Sequence, residues 1–581
     1  MVVFRYLALA GLIFVLSCGR KGESDRGLRE YPGEQAVPGG VLVVGINGEP
    51  DALNPLTALL KPARDIIHLL FRRLADINED LATVTPQLAR GWEFSLDSLT
   101  LTFHLRTGVL WHDGTPFTSR DVVFTYRLQV DPDVAWDGFP FKQNIVGVEA
   151  PDDSTVIFTF REKTPTLLMD AVEGYIVPAH ILEGVSPDEI RQAGFNHHPV
   201  GCGPFRFVGW KPQQSVTLEK FDRYYRKGRP YLDRVVFRVV PDRVSLWHQL
   251  LSGDIDFMEG VPPANFNRLV EEWEKKKTPI LPVSFLGRQY DFIGWNLIDP
   301  ASYPRVMEAY RGGDVDAARH FVPHPLFGSR KVRAALTMAM DRTRIARVVN
   351  AGLAQRMDGP VPLIWWCYNP EANTDWPHNP RRAMQYLREE GWTDSDGDGV
   401  LDRDGIPFRF EMVTNTGNER REMALTIVQE QLREIGVDMT PRLVEPGLLF
   451  GRMLSRREFD AALIGWDVAL KVDLVPLFHS SALISPFNFV SFRSEEFDRW
   501  HDLAVATFDR QAAQAYWDSI AHFLSGELPY TWLYYRMENA AYHFRIKGAR
   551  IDKRGPFFHL EEWWIPPEER TRIAGRPTAD R

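Results

Sequence analysis

Short apolar and alternating stretches recur along the chain and predict β-strands. Val41–Ile46 is a continuous apolar run next to glycine, which is typical of a strand buried on both faces. In 100–105, 156–160 and 235–239, apolar residues occupy every second position, so one face of each strand is expected to be buried and the other to be more polar. The pattern therefore predicts strands distributed over the first half of the chain.

Between and after these strands, apolar residues recur at helical spacing. A residue that can cap a helix precedes four of these segments, namely Thr118, Ser329, Asp341 and Asn379. A fifth apolar stripe, in 425–435, ends at Gly436. Strands and helices interleave without a fixed period, so the pattern predicts a mixed α/β chain and indicates neither a repeat solenoid nor an all-helical bundle.

The N-terminus has the pattern of a signal peptide over residues 1–17. Arg5 precedes an apolar run, 7–16, that is too short to cross a bilayer, since a spanning helix needs about 20 residues. The run ends at Cys18 and resembles a bacterial lipobox, in which Cys18 would carry lipid and become the mature N-terminus. Leu16 departs from that motif, and the alternative is an ordinary signal peptide with an incidental cysteine.

Residues 18–40 are expected to form the lipidated cysteine and a flexible tether. The stretch after Cys18 is rich in glycine, proline and charged residues and has no apolar periodicity. After this segment no apolar run approaches the length of a membrane span. We therefore expect the rest of the chain to lie outside the cytoplasm, held to a membrane by the lipid.

The composition is that of a globular protein with several domains. The chain has 581 residues, of which 44% are hydrophobic and 12% aromatic, which excludes a disordered or collagen-like chain. At about 150 residues per domain, this length predicts roughly two to four domains. The formal charge of −9 argues against nucleic acid as a partner, because nucleic-acid-binding proteins usually concentrate Lys and Arg on one face.

Motifs for known catalytic chemistry are missing from the sequence. It contains no G-x-S-x-G elbow, no H-E-x-x-H pair and no phosphate-binding glycine loop. Cys202 and Cys367 are far apart in sequence and are expected to be two buried thiols, a disulfide or residues that line a pocket. His197 and His198 are adjacent, and on a strand they would point to opposite faces, so they do not form a ready metal chelate.

One acidic loop matches the first half of an EF-hand. Its carboxylates and glycine follow the pattern D-x-D-x-D-G-x-x-D, with candidate ligands at Asp394, Asp396, Asp398 and Asp402. The twelfth position is Gly405 where an EF-hand has a bidentate Glu, so a complete EF-hand is excluded. Two interpretations stay open: a weak structural calcium site, or an Asp/Gly turn whose carboxylates accept hydrogen bonds from local backbone N–H groups.

Three long blocks contain ordered motifs. Residues 86–127 read P-x-L-A-x-x-W, F-x-L-R-x-G-V, H-D-G-x-P-F-T and D-V-V-F, and residues 199–256 read P-V-G-x-G-P-F, L-E-K-x-x-x-Y, Y-L-D-x-V-x-F-R and L-x-x-G-D-I-D. Residues 332–436 contain V-R-A-A-L-x-x-A-x-D-R, R-A-M-x-Y-L-R-E-E-G-W and E-Q-L-R-E-I-G. Together the blocks resemble the large extracellular solute-binding proteins of ABC importers, the family 5 (cluster C) proteins for oligopeptides, dipeptides and nickel. Cys202 departs from the family pattern, which usually has Thr or Asn there.

The resemblance implies an α/β protein with a two-lobed periplasmic-binding-protein-like fold (type II) and an additional inserted domain. In the family's layout, the first lobe comprises 41–80, 199–296 and 527–581. The inserted domain is 81–198, and the second lobe is 297–526. Ligand lies between the lobes and is enclosed when they close.

The resemblance also implies a function in transport without enzymatic activity. We expect a monomer that captures a peptide or a solute of similar size, delivers it to a membrane permease and is anchored through lipid on Cys18. Two alternatives remain: a nickel or metal-chelate binding protein, and an exported hydrolase that uses paired carboxylates. A sensory or chaperone-like role on the same fold is a further alternative.

In peptide-binding relatives, an Asp three residues after a Gly-Trp pair meets the α-ammonium of the peptide. Here the pair is Gly465-Trp466, and the third residue after Trp466 is Ala469. Either Asp467 or Asp473 replaces the missing carboxylate, since a buried ammonium requires a counter-charge, or the ligand has no α-ammonium. Trp466 is expected to enclose an apolar or cationic group of the ligand, with plain core packing as the alternative.

The resemblance suggests further cleft residues. In the segment NTGNERR, which begins at Asn415, Arg420 occupies the place where some relatives have a basic residue near the peptide carboxylate. A guanidinium binds a carboxylate in bidentate fashion, although Arg420 at the start of a helix could equally be solvated. Glu49 matches a first-lobe segment that lines the cleft. The expected ligand-binding residues are therefore Glu49, Asn415, Arg420, Trp466, Asp467 and Asp473.

Overall fold

The computed structural model describes residues 35–314, 317–469 and 471–570. The predicted signal peptide, Cys18 and most of the predicted tether lie outside the described residues. Strands and helices alternate through the chain, so the predicted mixed α/β class is confirmed. Across the described ranges, no helix is long and apolar enough to cross a bilayer.

The strands, numbered in chain order, are β1 (Val41–Ile46), β2 (Ala75–Ile77), β3 (Val84–Pro86), β4 (Ala89–Phe94), β5 (Thr100–Leu105), β6 (Ile145–Asp152), β7 (Thr155–Phe160), β8 (Phe205–Lys211), β9 (Ser215–Lys220), β10 (Arg234–Val239), β11 (Phe257–Glu259), β12 (Ile280–Trp295), β13 (Ala354–Arg356), β14 (Asp402–Arg403), β15 (Ile406–Pro407), β16 (Arg409–Asn415), β17 (Asp438–Val444), β18 (Ala461–Asp467) and β19 (Tyr530–His543).

The α-helices are α1 (Lys61–Leu70), α2 (Ser119–Val130), α3 (Leu167–Val172), α4 (Ala179–Leu182), α5 (Arg243–Ser252), α6 (Pro263–Glu274), α7 (Tyr303–Arg311), α8 (Arg330–Ala339), α9 (Arg342–Val349), α10 (Pro380–Glu389), α11 (Glu419–Arg433), α12 (Pro446–Leu448), α13 (Val475–Phe478), α14 (Glu495–Ala506) and α15 (Arg510–Glu527).

Local sequence signals place several of these helices. The side chains of Ser329, Asp341 and Asn379 each accept a hydrogen bond from a backbone N–H in the first turn of α8, α9 and α10. At the start of α2, the backbone N–H of Thr118 donates to Asp121 at 2.9 Å. The predicted caps are thus confirmed, because a cap depends only on residues within one helical turn.

One large sheet runs through most of the molecule. Its strand order is β17-β16-β18-β12-β19-β11-β1-β10-β9-β8, with β13 pairing beside β19. Strand β1 is parallel to β10 and β11, and β16 is parallel to β17 and β18. The sheet therefore contains two sets of parallel strands, one on each side of the central pair β12 and β19.

The central strands are long and shared. β12 pairs with β19 from Ile280 opposite His543 to Gly294 opposite Tyr530. At one end β19 also pairs with β11, and at the other end β12 also pairs with β18. The two parallel sets are therefore joined through two crossing strands.

A separate four-stranded sheet, in the order β4-β5-β7-β6, lies within the residues expected to form the insert. The residues at alternate positions of β5 and β7 are buried, as their patterns predict. β2 and β3 form a small hairpin across residue 80. The limits of the three domains stay a prediction.

The structure decides between the alternatives for Cys202 and Cys367. Cys202 and Cys367 are free thiols, each 1% exposed, so the disulfide alternative is wrong. Burial raises the pKa of both thiols, that of Cys202 to about 12, and this disfavours the reactive thiolate.

His197 and His198 lie in an exposed turn, and their rings contact Trp210 and Phe207.

Candidate functional site

The strand register defines a cleft above the middle of the central strands. β11 runs antiparallel to β19 and ends at Glu259, opposite Ala540. β18 runs antiparallel to β12 and ends at Asp467, opposite Gln289. Both strands therefore point their carboxyl ends at the stretch between, formed by 284–288 on β12 and 536–539 on β19. We call this stretch the cleft floor.

The other parallel strands end at the same place. β1 and β10 share the direction of β11, and β16 and β17 share the direction of β18. In open α/β sheets, ligands bind in the crevice outside the carboxyl ends of parallel strands. The loops that follow β1 and β11 thus form a first wall of the cleft, and the loops that follow β16 and β18 form a second wall.

The cleft floor is tied to the second wall by polar contacts. Arg288 donates from Nε and Nη2 to the carbonyl oxygen of Val468 at 3.0 and 2.8 Å. Gln289 donates from Nε2 to Asp467 at 2.7 Å and accepts from Arg536. Asp467 is exposed and lies at the end of β18, so the structure places this predicted residue at the cleft.

A buried carboxylate on β12 organises the start of helix α11. Asp291 is 2% exposed, and its Oδ2 accepts hydrogen bonds from Arg420 at 3.0 Å and from the Tyr534 hydroxyl at 2.8 Å. Its Oδ1 accepts from Arg421 at 2.9 Å. Burial alone would raise the pKa of Asp291, but Arg421 and Arg420 hold this pKa below its ordinary value.

Arg420 is therefore neither solvated nor free. Its side chain is 22% exposed and has an internal carboxylate as its partner. Asn415, the last residue of β16, accepts from Nη1 of Arg421 at 2.7 Å, which brings Asn415 into the same cluster. Sequence reasoning missed Asp291 and Arg421, although a lone carboxylate in the apolar run YDFIGW was an available signal.

Trp466 lies among aromatic rings near the end of β18. Its ring centroid is 5.9 Å from those of Phe292 and Phe487 and 6.0 Å from that of Phe489. Its indole N–H is 3.4 Å from the hydroxyl of Tyr530. Phe487 is 50% exposed, so the aromatic cluster reaches the surface beside the predicted ligand-binding loop. Trp466 thus contributes both to packing and to this exposed edge.

Asp473 is engaged locally. Its Oδ1 accepts from the backbone N–H of Val475 at 2.8 Å, at the start of α13, and lies 3.4 Å from Nε2 of His501. These contacts, opposed by burial, lower the pKa of Asp473. The carboxylate helps to fix the loop after β18.

The first wall has a charged cluster that sequence reasoning missed. Lys61 at the start of α1 lies 2.8 Å from Asp65 and 2.6 Å from Glu259, at the end of β11. Burial raises the pKa of Glu259 to about 7, and Lys61 opposes this shift. Glu538 on the cleft floor is close enough to add to the raised pKa. The spacing from Lys61 to Glu259 gave no sequence signal for their contact.

Glu49 lies in the loop that follows β1, on the first wall, and lines a cavity there. Its Oε1 accepts from the indole N–H of Trp210 and the backbone N–H of Gln213, both at 2.9 Å. The cavity has a volume of about 420 Å³ and is lined by Glu49, Pro50, Asp51, His197, His198, Trp210 and Pro212. The structure thus brings Glu49 next to the adjacent histidines and not next to Arg420 or Trp466.

The acidic loop lies at the opposite end of β16 from Asn415, since Arg409 at the start of this strand donates to Asp398 at 2.8 Å. Asp394, Asp396 and Asp398 each offer an oxygen, and these oxygens lie within 4.8 Å of one another. Each carboxylate also accepts a backbone N–H from the loop itself. Asp402 instead accepts from the backbone and hydroxyl of Ser395 at 2.8 Å. The turn interpretation accounts for the hydrogen bonds observed, and the three neighbouring carboxylates leave the calcium interpretation open.

Comparisons with known proteins agree with this geometry. The family model for bacterial extracellular solute-binding proteins, family 5 (middle), matches residues 83–476. The oligopeptide-binding protein AppA of Bacillus subtilis is 31% identical over 557 residues, which cover 95% of this chain and 96% of AppA. Heme-binding protein A of Haemophilus influenzae is 26% identical over 502 residues, which cover 82% of this chain and 84% of that protein.

Solved structures confirm the expected fold. The structure of AppA from Bacillus subtilis in complex with a nonapeptide has a TM-score of 0.69 at 31% identity and covers 92% of this chain and 100% of that chain. The structure of NikZ from Campylobacter jejuni in complex with Ni(L-His) has a TM-score of 0.68 at 23% identity and covers 90% and 99% of the two chains. The likeness to NikZ supports the fold alone, and the two-lobed α/β prediction is confirmed.

Proposed function

The chain belongs to the bacterial extracellular solute-binding proteins of family 5, and we propose that it captures peptides between its two lobes for an ABC importer. Members of this family are solute-binding proteins and not enzymes, so the hydrolase alternative is set aside.

The observation that carries the peptide proposal is the match to AppA over 95% of the chain. AppA is an oligopeptide-binding protein, and its structure contains a nonapeptide. The cleft supplies chemistry suited to such a ligand. Charged side chains of both signs, Arg288, Arg536 and Glu538, lie on the cleft floor. The exposed ring of Phe487 is available to apolar side chains of a peptide.

Native mass spectrometry of the mature protein tests this proposal directly. A protein that closes on its ligand retains it, so the mass difference between native and denatured protein identifies the bound solute. We expect a series of peptide masses, and isothermal titration of the stripped protein with nonapeptides should then give stoichiometric binding. Binding of nickel complexes alone, abolished by a chelator, would replace peptide with metal chelate as the ligand.

The membrane anchor and the partner are inferred from the N-terminal sequence and the family. Cys18 follows a signal-peptide-like run, and a lipid on this residue would hold the protein beside its permease. We expect wild-type protein to fractionate with membranes and Cys18→Ser to be released. Equal membrane association of both proteins would contradict lipidation at Cys18. The protein is expected to act as a monomer, which light scattering would check.

A further inference from the structure

An ion pair joins the predicted insert to the loop after β18. Lys471 Nζ lies 3.3 Å from Oδ1 of Asp170, in helix α3. The two partners differ strongly in exposure, since the Asp170 side chain is 2% exposed and that of Lys471 is 35% exposed. A partly solvated lysine from one wall of the cleft thus reaches a carboxylate buried in another part of the molecule.

The neighbours of α3 place Asp170 at the cleft. Glu173 follows this helix and is one of the charges close enough to shift the pKa of Arg288, on the cleft floor. Arg288 in turn donates to Val468, in the same loop that contains Lys471. Helix α3 of the predicted insert therefore lies beside the loop that follows β18, which it contacts through Asp170 and Lys471.

Besides Lys471, the carboxylate of Asp170 has one hydrogen-bond partner among the described residues. Its Oδ2 accepts from the hydroxyl of Thr166 at 2.9 Å. The nearby ammonium of Lys142 donates to the backbone carbonyls of Asp170, Ala171 and Glu173, at 2.7 to 3.3 Å, so its hydrogen bonds go to the helix end and not to the carboxylate. Burial raises the pKa of Asp170, and Lys471 and the charge of Lys142 oppose this shift. A buried carboxylate gains from a close cation.

The carboxylates expected to fill this role from sequence are otherwise occupied. Asp467 accepts from Gln289, and Asp473 contacts His501 and starts helix α13. Ala469, at the position of the ammonium-binding Asp in relatives, contributes only its carbonyl oxygen, which accepts from Trp365 at 2.8 Å. Asp170 is a buried carboxylate that contacts this loop through Lys471.

We propose that Asp170 recognises a cationic group of the bound solute, an ammonium or a guanidinium, and that Lys471 occupies the position of that group in this structure. The inference rests on the proposed function, since it names the group of the ligand that the cleft selects. Lys471 belongs to the second wall, so it leaves Asp170 when the lobes separate, and a ligand cation then takes its place.

A purely structural role for the pair leads to different behaviour. If Lys471 and Asp170 only hold the lobes closed, removing either residue lowers the affinity for every ligand by the same factor. If Asp170 recognises a cationic group of the ligand, its removal weakens the binding of cationic ligands alone. Removal of Lys471 then strengthens their binding, because Lys471 no longer competes for Asp170. Lys163 provides a matched control, because its Nζ lies 4.8 Å from the ring of Phe508 and also joins the insert to the second lobe.

The test uses three random nonapeptide libraries without acidic residues. The first has a free amino terminus and no Lys or Arg, the second is amino-acetylated and has no Lys or Arg, and the third is amino-acetylated and contains Lys and Arg. Binding of each library to wild-type protein and to Asp170→Asn, Lys471→Met and Lys163→Met is measured by native mass spectrometry and calorimetry. Melting temperatures without peptide check that each variant folds.

We expect wild-type protein to prefer a cationic library over the uncharged one by about tenfold or more, as for a charge-assisted hydrogen bond. Preference for the first library identifies the terminal ammonium, and preference for the third identifies a basic side chain. Asp170→Asn should abolish this preference while binding of the uncharged library persists. Lys471→Met should strengthen binding of the cationic library. Lys163→Met should change the binding of all three libraries by the same factor.

If Asp170→Asn weakens binding of all three libraries equally, the inference is overturned, whereas the proposed function stands because wild-type protein still binds peptides. The same holds if wild-type protein shows no preference between the libraries. Failure of wild-type protein to bind any library would overturn the proposed function and this inference together. If Asp170→Asn does not fold, Lys471→Met alone decides, because weaker binding of the cationic library would contradict the competitor role.

Discussion

Arg421, at the start of helix α11, donates two hydrogen bonds to a single oxygen of Asp291, from Nε at 3.2 Å and from Nη2 at 2.9 Å. Asp291 belongs to β12, a strand that continues through the cleft floor. The contact therefore fixes the helix that follows β16 to a strand shared by both parallel sets. Arg420 binds the other oxygen, so two cations depend on one buried carboxylate.

Replacing the carboxylate of Asp291 should destabilise the folded protein. Asp291→Asn leaves Arg420 and Arg421 without a counter-charge, and we expect it to lower the free energy of unfolding by about 3–5 kcal/mol. Asp438→Asn is the control, because Asp438 is 42% exposed and pairs with Arg409 at the surface, and should cost about 1 kcal/mol or less. Urea unfolding of both variants measures the difference, and equal stabilities would contradict a structural role for Asp291.

Trp466 and Asp467 should matter for the ligand. Trp466→Ala removes the ring beside the exposed Phe487, and we expect peptide affinity to fall by about tenfold or more. Trp466→Phe keeps the contacts with Phe292 and Phe489 and should retain most of the thermal stability. Asp467→Ala should also weaken binding, since it releases Gln289. Calorimetric titration measures these affinities. Unchanged affinities for both Trp466→Ala and Asp467→Ala would reject the assignment of these residues to the ligand site.

Glu561 should give the protein a specific sensitivity to acid. Burial would raise its pKa, but Arg72 and Arg226 lower this pKa to about 2. The stabilising contribution is therefore complete above the ordinary pKa of 4.5 and is lost as the pH falls toward 2. We expect Glu561→Gln to cost about 3 kcal/mol at neutral pH and progressively less in acid. Melting temperatures of wild-type protein and Glu561→Gln, measured from neutral pH toward pH 2, test this prediction. A difference in melting temperature that does not depend on pH would contradict it.

The acidic loop should keep its turn without metal. Asp394 accepts from the backbone N–H groups of Gly397 at 2.7 Å and Gly399 at 3.1 Å, which are bonds of an Asp turn. We expect the melting temperature of chelator-treated protein to be unchanged by calcium at about 1 mM, the range of weak extracellular sites. A calorimetric heat together with a rise in melting temperature, both lost in Asp396→Asn, would establish the calcium site instead.

The two described thiols should be unreactive in the folded protein. Burial of Cys202 and Cys367 raises both pKa values, so little thiolate is present at neutral pH. We expect iodoacetamide to label neither residue in native protein and both residues in urea, as read by peptide mapping. Labelling of native Cys202 at the rate of a free thiol would show that this part of the core opens readily.

Features that depend on neighbouring residues were accessible from the sequence. The caps at Ser329, Asp341 and Asn379 act within one turn, and the alternation in β5 and β7 reflects which face is buried. The ordered motif blocks were sufficient for the family, and with it the two-lobed fold. Placement of a contact between distant segments was not accessible, because many pairings satisfy the same composition and charge.

The sequence by itself determined the α/β class and the family, since these follow from periodicity and ordered motifs. Only the tertiary structure decided which charges meet. Arg421 and Asp291 are 130 positions apart, and Lys471 and Asp170 are 301 positions apart. Each pair meets because the crossing strands β12 and β19 bring separate parts of the chain to one cleft, where a buried charge requires a partner whatever its distance in sequence.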